Sequence, residues 1–196
     1  MAENKLDSTY WTDRYQNQRD GWDIGKISTP LKEYFDQLEN KNLEILIPGS
    51  GRGYEGLYLL EQGFTNVHFL DFSPEPLAFI KSQRSDLKDQ FLHQDDVFKY
   101  QGQYDLIIEQ TMFCALDPTL RQAYILKMHE LLKVGGKLVG LFFNREFDGG
   151  PPFGGNRDEY RTYFESCFSE FSMEDCYNSI APRMGSELFV KAIKTD

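Results

Sequence analysis

The sequence predicts an α/β fold built on a doubly wound, mostly parallel sheet of seven strands, with an antiparallel hairpin at one edge. Two observations predict the parallel part: short apolar segments alternate with helical patterns through residues 43–143, and Gly, Pro or Ser-Pro signals separate them. A third observation predicts the hairpin, because the strand-like segments 171–177 and 187–193 are joined only by a loop.

Two helical patterns precede the first strand. Residues 8–19 place Trp11 and Tyr15 four positions apart, so that the two rings share one face of a helix. Residues 28–38 form the second helix, with Pro30 in its first turn. The chain is therefore expected to begin with a helical, aromatic-rich extension.

The length predicts a single domain over residues 1–196, with residues 1–40 as the extension and residues 41–196 as the α/β core. The core strands are expected at 43–47, 67–71, 90–93, 104–109, 137–143, 171–177 and 187–193, and the core helices at 54–62, 73–85, 117–133 and 157–167. Gly135 and Gly136 are expected to end the third core helix before the fifth strand.

The turn after the first strand predicts a cofactor site. Gly49, Gly51 and Gly53 let a ligand approach the backbone where no Cβ obstructs it. In the dinucleotide-binding pattern G-x-G-x-x-G, the third glycine stands one position later than Gly53 does. Glu55, in the first helical turn, would repel a pyrophosphate but suits a cationic ligand without phosphate, such as S-adenosylmethionine. Asp71, at the end of the second strand, is placed to accept hydrogen bonds from both ribose hydroxyls.

Composition argues against several classes of partner. The formal charge of -10 disfavours nucleic acid, because phosphate contacts need clustered Lys and Arg. Three cysteines without a C-x-x-C pair and three scattered histidines predict neither a disulfide framework nor a metal site. No apolar run approaches the ~20 residues that span a bilayer, and the polar start is not a signal peptide. We expect a cytoplasmic monomer that binds neither membrane nor nucleic acid.

Motifs along nearly the whole chain resemble the thiopurine S-methyltransferase superfamily, within the S-adenosylmethionine-dependent class I methyltransferases of Rossmann-like fold. The matching segments are Tyr10-Trp11, Gly21-Trp22-Asp23, Pro48-Gly49-Ser50-Gly51, Leu70-Asp71, Asp96-Val97-Phe98, Phe113-Cys114, Gly135-Gly136, Gly149-Gly150-Pro151-Pro152-Phe153 and Ala181-Pro182-Arg183. The Gly-Gly-Pro-Pro and Ala-Pro-Arg segments are closest to the branch that methylates thiols and halide ions.

The resemblance, together with the glycine turn, predicts a set of cofactor contacts. Asp96 is expected to accept from the adenine amino group, and the N–H of Val97 to meet a ring nitrogen. Two positions depart from the family pattern: Tyr15 stands where the thiol and halide branch tends to have Trp, and Gln110 where a Tyr follows the fourth strand. The predicted cofactor-binding residues are Trp11, Tyr15, Trp22, Gly49, Gly51, Asp71, Phe72, Asp96, Val97 and Gln110.

Three aromatic residues of the extension are expected to act as a lid over the cofactor. A sulfonium cation favours aromatic faces, and the hypothesis is that Trp11, Tyr15 and Trp22 pack over the methionine part of S-adenosylmethionine. On the acceptor side, Phe113, Phe153 and Arg183 are the candidate substrate contacts. No catalytic base or metal is predicted, because the donor is already activated and a thiol of pKa near 8.5 is a few per cent thiolate at pH 7.

The leading functional hypothesis is methyl transfer from S-adenosylmethionine to a thiol, hydrosulfide or halide, with S-adenosylhomocysteine as the product. A thiopurine-type or metalloid methyltransferase on the same scaffold is the alternative among enzymes of this kind. Two other classes stay open: a protein that binds the cofactor without turnover, and an NAD-linked oxidoreductase. The positions of Gly53 and Glu55 argue against the oxidoreductase.

Overall fold

The computed structural model describes residues 6–195 of the chain. The strands are β1 (Glu44–Pro48), β2 (Asn66–Asp71), β3 (Leu92–Gln94), β4 (Tyr104–Gln110), β5 (Leu132–Phe143), β6 (Glu170–Asp175) and β7 (Glu187–Ile193). The helices are α1 (Ser8–Gln16), α2 (Thr29–Phe35), α3 (Tyr54–Glu61), α4 (Pro74–Gln83), α5 (Met112–Ala115), α6 (Arg121–Leu131) and α7 (Arg157–Glu165). Within residues 6–195, no helix is both long and apolar enough to cross a membrane.

The seven strands form one sheet in the order β3-β2-β1-β4-β5-β7-β6. Strands β1 to β5 pair in parallel, and β7 is antiparallel to both of its neighbours, β5 and β6. The predicted fold class is confirmed: the sheet is doubly wound and mostly parallel, and the β6–β7 hairpin closes one edge. Strand β7 is the inner member of that hairpin.

Different helices cover the two faces of the sheet. On one face, Tyr124 and Met128 of α6 and Phe164 of α7 join a fully buried cluster. On the other face, Phe35 of α2 and Ile80 of α4 join a second buried cluster. The central strands β1, β2 and β4 are therefore buried on both sides, as their near-continuous apolar segments require, whereas the edge strands β3 and β6 are largely half-buried or exposed.

The junction between α6 and β5 differs from the prediction. The helix ends at Leu131 and the strand begins at once, with Leu132 opposite Tyr104. A register shift follows, so that Lys137 lies opposite Leu106. Gly135, at φ +81°, lies inside the irregular start of the strand and does not end the helix. The glycine pair was thus the wrong stop signal, because it serves a local irregularity of β5.

Helix α1 lies against α4, beside the carboxyl end of β2. The hydroxyl of Thr12 donates to Ser73 Oγ over 3.3 Å, and the amide of Gln16 donates to Glu75 Oε1 over 2.7 Å. These contacts place the aromatic extension at the edge of the sheet where the parallel strands end.

Candidate active site

A cleft of about 1460 Å³ lies at the carboxyl ends of β1, β2 and β4. The strand order reverses between β1 and β4, and open α/β sheets bind ligands in the crevice at such a point. A recess of about 60 Å³ adjoins the cleft and shares Trp22, Gly49 and Thr111 with it. Of the predicted cofactor residues, Trp11, Tyr15, Trp22, Gly49, Asp71, Phe72, Asp96 and Val97 line the cleft, while Gly51 and Gln110 line the recess.

The glycine turn after β1 adopts a conformation that L side chains rarely take. Gly49 has φ +56° and Gly51 has φ +51°. A Cβ on Gly49 would lie 2.6 Å from Met112 Sδ, so a larger residue does not fit there. The N–H of Gly51 donates to Asp71 Oδ2 over 3.0 Å. The turn therefore brings exposed backbone and the end of β2 into one place.

Asp71 combines burial with unused hydrogen-bonding capacity. Only 8% of the residue is exposed, and Oδ1 accepts the Ser73 N–H over 2.9 Å. Burial raises the pKa of this carboxyl to about 6, although the N–H donors of Ser73 and Gly51 oppose the shift. Each carboxylate oxygen keeps a further lone pair. At neutral pH the group is mostly ionised and can accept hydrogen bonds from a ligand.

The recess beside the glycine turn contains two buried polar atoms that lack a partner. Within residues 6–195, Gln110 Oε1 and Ser50 Oγ make no hydrogen bond. Thr111, the next residue after β4, has φ +67°, which is uncommon for a residue other than glycine. Unsatisfied buried polar groups and backbone strain are both costly, and both are concentrated at ligand sites. The recess is thus a candidate site for a polar ligand group.

Three rings of the extension form one cluster over the cleft, which we name the aromatic lid: Trp11, Tyr15 and Trp22. The Trp22 ring centroid lies 5.4 Å from that of Trp11 and 5.5 Å from that of Tyr15, in nearly perpendicular geometry. Tyr15 Oη would lie 3.4 Å from a Cβ on Gly51, so this ring reaches the glycine turn. Burial, and then the Asp71 carboxylate, raises the pKa of the Tyr15 hydroxyl far above its usual value.

Arg52 fastens the loop that carries Trp22. Its guanidinium lies 2.7 Å from a carboxylate oxygen of Asp20 and 2.7 Å from one of Asp23. Tyr54, at the start of α3, donates to Asp23 over 3.3 Å. The loop is therefore anchored to the glycine turn and the helix behind it.

Arg183 holds the same loop from the opposite side. Its guanidinium donates to the Trp22 carbonyl oxygen over 3.2 Å and to Glu187 Oε1 over 3.4 Å. It also lies 5.4 Å from the centroid of the Phe143 ring. Arg183 lines the cleft, as a substrate contact would, but its hydrogen bonds go to the lid loop and to Glu187.

The far end of the cleft is bordered by the turn after β3. Asp96 Oδ1 accepts the Phe98 N–H over 3.0 Å, and Lys99 Nζ lies 3.6 Å from Oδ2. Val97 is buried and lines the cleft, as does Phe72, which follows β2. This end thus offers the carboxylates of Asp95 and Asp96 next to apolar side chains.

The remaining wall is apolar and comes from the end of β5 and the loop after it. We name it the Phe–Pro wall: Phe143, Phe147, Pro151 and Pro152. The centroids of the two phenylalanine rings are 5.1 Å apart, edge to face. Because few polar groups interrupt this wall, it suits a soft or apolar ligand group.

Two predicted substrate residues lie behind this wall and do not line the cleft. Phe113 is 2% exposed and packs 4.9 Å from the Phe142 ring and 5.1 Å from the Tyr160 ring. The Phe153 N–H donates to the Cys114 carbonyl over 2.7 Å. Phe113 thus lies in the core, whereas Phe153 is half-buried and its backbone joins the loop of the wall to Cys114.

Arg121 connects the loop of the Phe–Pro wall to the core. This buried guanidinium donates to the carbonyls of Phe153 over 3.2 Å and Gly154 over 2.9 Å, and to Glu159 Oε1 over 3.0 Å. It also lies over the Phe113 ring at 5.0 Å. Arg121 therefore sets the position of a loop whose prolines face the cleft.

Comparisons with known proteins identify the family. The model of the thiopurine S-methyltransferase (TPMT) family matches residues 6–193. The chain belongs to the thiopurine S-methyltransferase family. Probable thiol methyltransferase 2 of Arabidopsis thaliana is 30% identical over 195 residues, covering 95% of this chain and 84% of that protein. Thiopurine S-methyltransferase of Photobacterium profundum is 23% identical over 196 residues, covering 91% and 92%.

A solved structure shows the same architecture at lower identity. Magnesium protoporphyrin IX methyltransferase of Synechocystis PCC 6803 superimposes with a TM-score of 0.73 at 14% identity and covers 99% of both chains. At that identity the likeness shows the fold alone. By its family, the protein is a methyltransferase, and its methyl donor is S-adenosylmethionine.

Among the cleft residues that the structure describes, we identify no general base for the acceptor. Burial raises the pKa of the Cys114 thiol to about 12. The Asp71 carboxylate already accepts hydrogen bonds from the Gly51 N–H of the glycine turn and from the Ser73 N–H just before α4. Histidine is absent from the residues that line the cleft, within residues 6–195. The cleft therefore suits an acceptor that arrives as a nucleophile.

Several residues of this methyltransferase site were not predicted from the sequence. Ser50 lies inside the predicted turn, but a serine at this position does not by itself indicate a ligand contact. Arg52 could have been found, because a cation in the glycine turn faces two acidic residues of the lid loop. Phe143 and Phe147 looked like strand and loop residues. Arg14 stands between two lid residues in the sequence, and its place in the cleft follows from the helical spacing of α1.

Proposed function

We propose that this methyltransferase transfers the methyl group of S-adenosylmethionine to the sulfur of a small thiol or of hydrosulfide, or to a halide ion. One observation carries the proposal: a single cleft joins a polar glycine-turn side, which fits the donor, to an apolar wall without a suitable base. The name of the Arabidopsis relative, a probable thiol methyltransferase, points the same way. The sulfonium supplies the electrophilic methyl group when S-adenosylmethionine is bound.

The adenosine part of the donor fits the end of the cleft between Asp71 and Asp96. Asp71 accepts from the ribose hydroxyls through lone pairs that the backbone donors leave free. Asp96 accepts from the adenine amino group, and the Val97 N–H donates to a ring nitrogen. Phe72 and Val97 supply apolar surface on either side of the base.

The methionine part fits between the glycine turn and the aromatic lid. The unpaired Gln110 Oε1 is an acceptor for the donor's ammonium group, which explains how a buried amide oxygen is satisfied. Gly49 and Gly51 leave room for the chain beside it. The lid rings present π-faces to a sulfonium and exclude water from the methyl group.

The protein promotes the transfer by alignment. The acceptor's lone pair forms a bond to the methyl carbon while the bond from that carbon to the sulfonium sulfur breaks. A thiol loses its proton to solvent before the step, because the cleft offers no suited base. The Phe–Pro wall holds the acceptor in line with the methyl group and excludes water. Such alignment lowers the barrier, because the reactants are already in the geometry of the reaction.

The test is methyl transfer from labelled S-adenosylmethionine to a panel of hydrosulfide, a small alkyl thiol, an aromatic thiol, a thiopurine and iodide. We expect the highest kcat/KM with hydrosulfide, the alkyl thiol or iodide. Preference for the aromatic thiol and the thiopurine would contradict the proposal and favour the thiopurine-type alternative. Tight binding of the cofactor with no methylation of any acceptor would favour a binding protein without turnover.

We also propose that residues 1–196 act as a single domain, with residues 1–40 as the lid-bearing extension, and that the enzyme is a cytoplasmic monomer. The acidic charge supports the further expectation that it does not act on nucleic acid. Sedimentation at several concentrations tests the oligomeric state, and a dimer would contradict this part of the proposal.

A further inference from the structure

Arg14 is a cation in the cleft that has no polar partner among the residues that the structure describes. It lies on α1, between the lid residues Trp11 and Tyr15, and lines the cleft. Its guanidinium is 5.5 Å from the Tyr10 ring centroid and 5.7 Å from that of Trp22. Within residues 6–195 its side chain makes no hydrogen bond or ion pair, and its Nε is buried.

Most other cations around the site are already paired. Arg183 bonds to Glu187 and the Trp22 carbonyl, Arg52 pairs with the acids of the lid loop, and Lys99 lies near Asp96. Two more cations lack a partner in the described chain: Arg145, which lies over the Phe147 ring at 4.8 Å, and Lys26, which is exposed at the recess. Arg145 packs on a ring of the Phe–Pro wall, away from the aromatic lid, and Lys26 packs on no ring among the described residues.

The donor brings an anion that needs a partner. S-adenosylmethionine carries one carboxylate, on the methionine part, and the proposed position of that part is between the glycine turn and the aromatic lid. The protein's overall charge of -10 makes an unpaired carboxylate unfavourable in this cleft. A guanidinium offers parallel N–H donors that match a carboxylate, and ring packing fixes its plane in advance.

We propose that Arg14 binds the carboxylate of the methionine part of S-adenosylmethionine. The inference rests on the proposed function, in that it assumes a donor bound between the lid and the glycine turn. It assigns Arg14, which lines the cleft, to the carboxylate of the same amino acid whose ammonium group is proposed to bind Gln110 in the recess. The lid would thus recognise charge as well as shape.

The experiment compares two ligands that differ only in the carboxylate: S-adenosylhomocysteine and its decarboxylated counterpart, S-adenosyl-3-thiopropylamine. Affinities are measured by calorimetry for the wild type, Arg14→Met and Arg14→Lys. We expect Arg14→Met to bind S-adenosylhomocysteine roughly tenfold or more weakly, as loss of a hydrogen bond to a charged group implies, and to bind the decarboxylated ligand within about twofold of the wild type. Arg14→Lys should lie between the two.

Two matched controls are Arg145→Met and Lys26→Met, which remove the other unpaired cations. Neither should change the ratio of the two affinities. The proposal is overturned if Arg14→Met weakens the binding of both ligands equally, because that result indicates ring packing alone. It is also overturned if Arg14→Met weakens the binding of neither ligand, or if a control variant shows the selective loss of affinity. Failure of the proposed function is distinguishable, because the wild type would then bind neither ligand or would methylate no acceptor.

Discussion

The donor side and the acceptor side of the cleft differ in polarity. On the donor side, formed by the glycine turn, Asp71, Gln110 and the aromatic lid, Gln110 Oε1 and Arg14 Nε are buried and lack a hydrogen-bond partner among residues 6–195. On the acceptor side, the Phe–Pro wall is apolar, and the terminal nitrogens of Arg121 behind it are bonded to the protein's own carbonyl and carboxylate groups.

This difference corresponds to the chemistry of the two substrates. The donor is large and polar, so specific hydrogen bonds can recognise it. A thiol, hydrosulfide or halide has little to hydrogen-bond, so position and dryness matter more. Changes on the donor side should therefore act mainly on cofactor affinity, and changes on the acceptor side on kcat/KM at saturating cofactor.

The largest effect is expected from Asp71→Ala. On the proposed assignment, the variant loses two charge-assisted hydrogen bonds to the ribose, each worth about 1.5–3 kcal/mol, which together correspond to roughly a thousandfold weaker binding. Calorimetric titration with S-adenosylhomocysteine measures it. The control is Asp105→Ala, since Asp105 also accepts a backbone N–H, from Glu44 over 2.8 Å, but lies at the opposite end of the sheet. Equal losses in both variants would contradict a ribose contact.

Arg121→Met should have the second-largest effect, a loss of kcat/KM for the acceptor on the order of thirtyfold. Without its guanidinium, the carbonyls of Phe153 and Gly154 lose their donor and the Phe–Pro wall shifts, and misplacements of about 1 Å can cost a hundredfold in rate. Affinity for S-adenosylhomocysteine should change by less than about twofold, which separates a positioning role from general damage.

Arg121→Lys provides the companion measurement. A lysine keeps the charge opposite Glu159 but has no planar fork to reach two carbonyls at once, so partial recovery is expected. The near-ultraviolet circular dichroism of both variants shows whether the core has folded. If a folded Arg121→Met variant lost cofactor affinity and kept its acceptor kinetics, the division between the two sides would be wrong.

Trp22→Ala should weaken S-adenosylhomocysteine binding by about tenfold, because Trp22 contacts both other lid rings and the cation–π and packing contributions are each modest. The effect on S-adenosylmethionine should be larger than on the product, since only the donor carries the sulfonium charge. Tyr177→Ala is the matched control, an aromatic residue 82% exposed outside the cleft. Unchanged affinity in a folded Trp22→Ala variant would discard the lid.

The donor side could be predicted because its signals are local. Gly49 and Gly51 follow a strand directly, and Asp71 ends the next strand, so the parallel sheet alone brings them together. The aromatic lid was also predicted as a group, from the four-residue spacing of Trp11 and Tyr15 and from the resemblance to a family. Their positions in the cleft follow from one helix and its loop.

The acceptor side could not be predicted in the same way, because distant contacts position it. Phe113 turns into the core because Thr111 adopts a left-handed conformation and Glu109 accepts the Phe113 N–H over 2.8 Å. The loop that carries Pro151 and Pro152 is held by Arg121, about thirty residues away in the sequence. No periodicity or motif spacing indicates such a contact. The sequence therefore predicted Phe113 and Phe153 as cleft residues, whereas Pro151 and Pro152 line the cleft.

The smallest effect expected is the pH dependence of cofactor binding, and it tests the donor side without changing its shape. The pKa of Asp71 is raised to about 6 by burial, and the ribose hydroxyls need its ionised form. Protonation competes with the ligand, so affinity for S-adenosylhomocysteine should fall as pH decreases, by about fourfold between pH 7.5 and 5.5 for such a pKa. Asp71→Asn, whose amide does not titrate in this range, should show weak but pH-independent binding. A wild-type profile as flat as that of Asp71→Asn would mean that the ionised Asp71 carboxylate is not the group that holds the ribose.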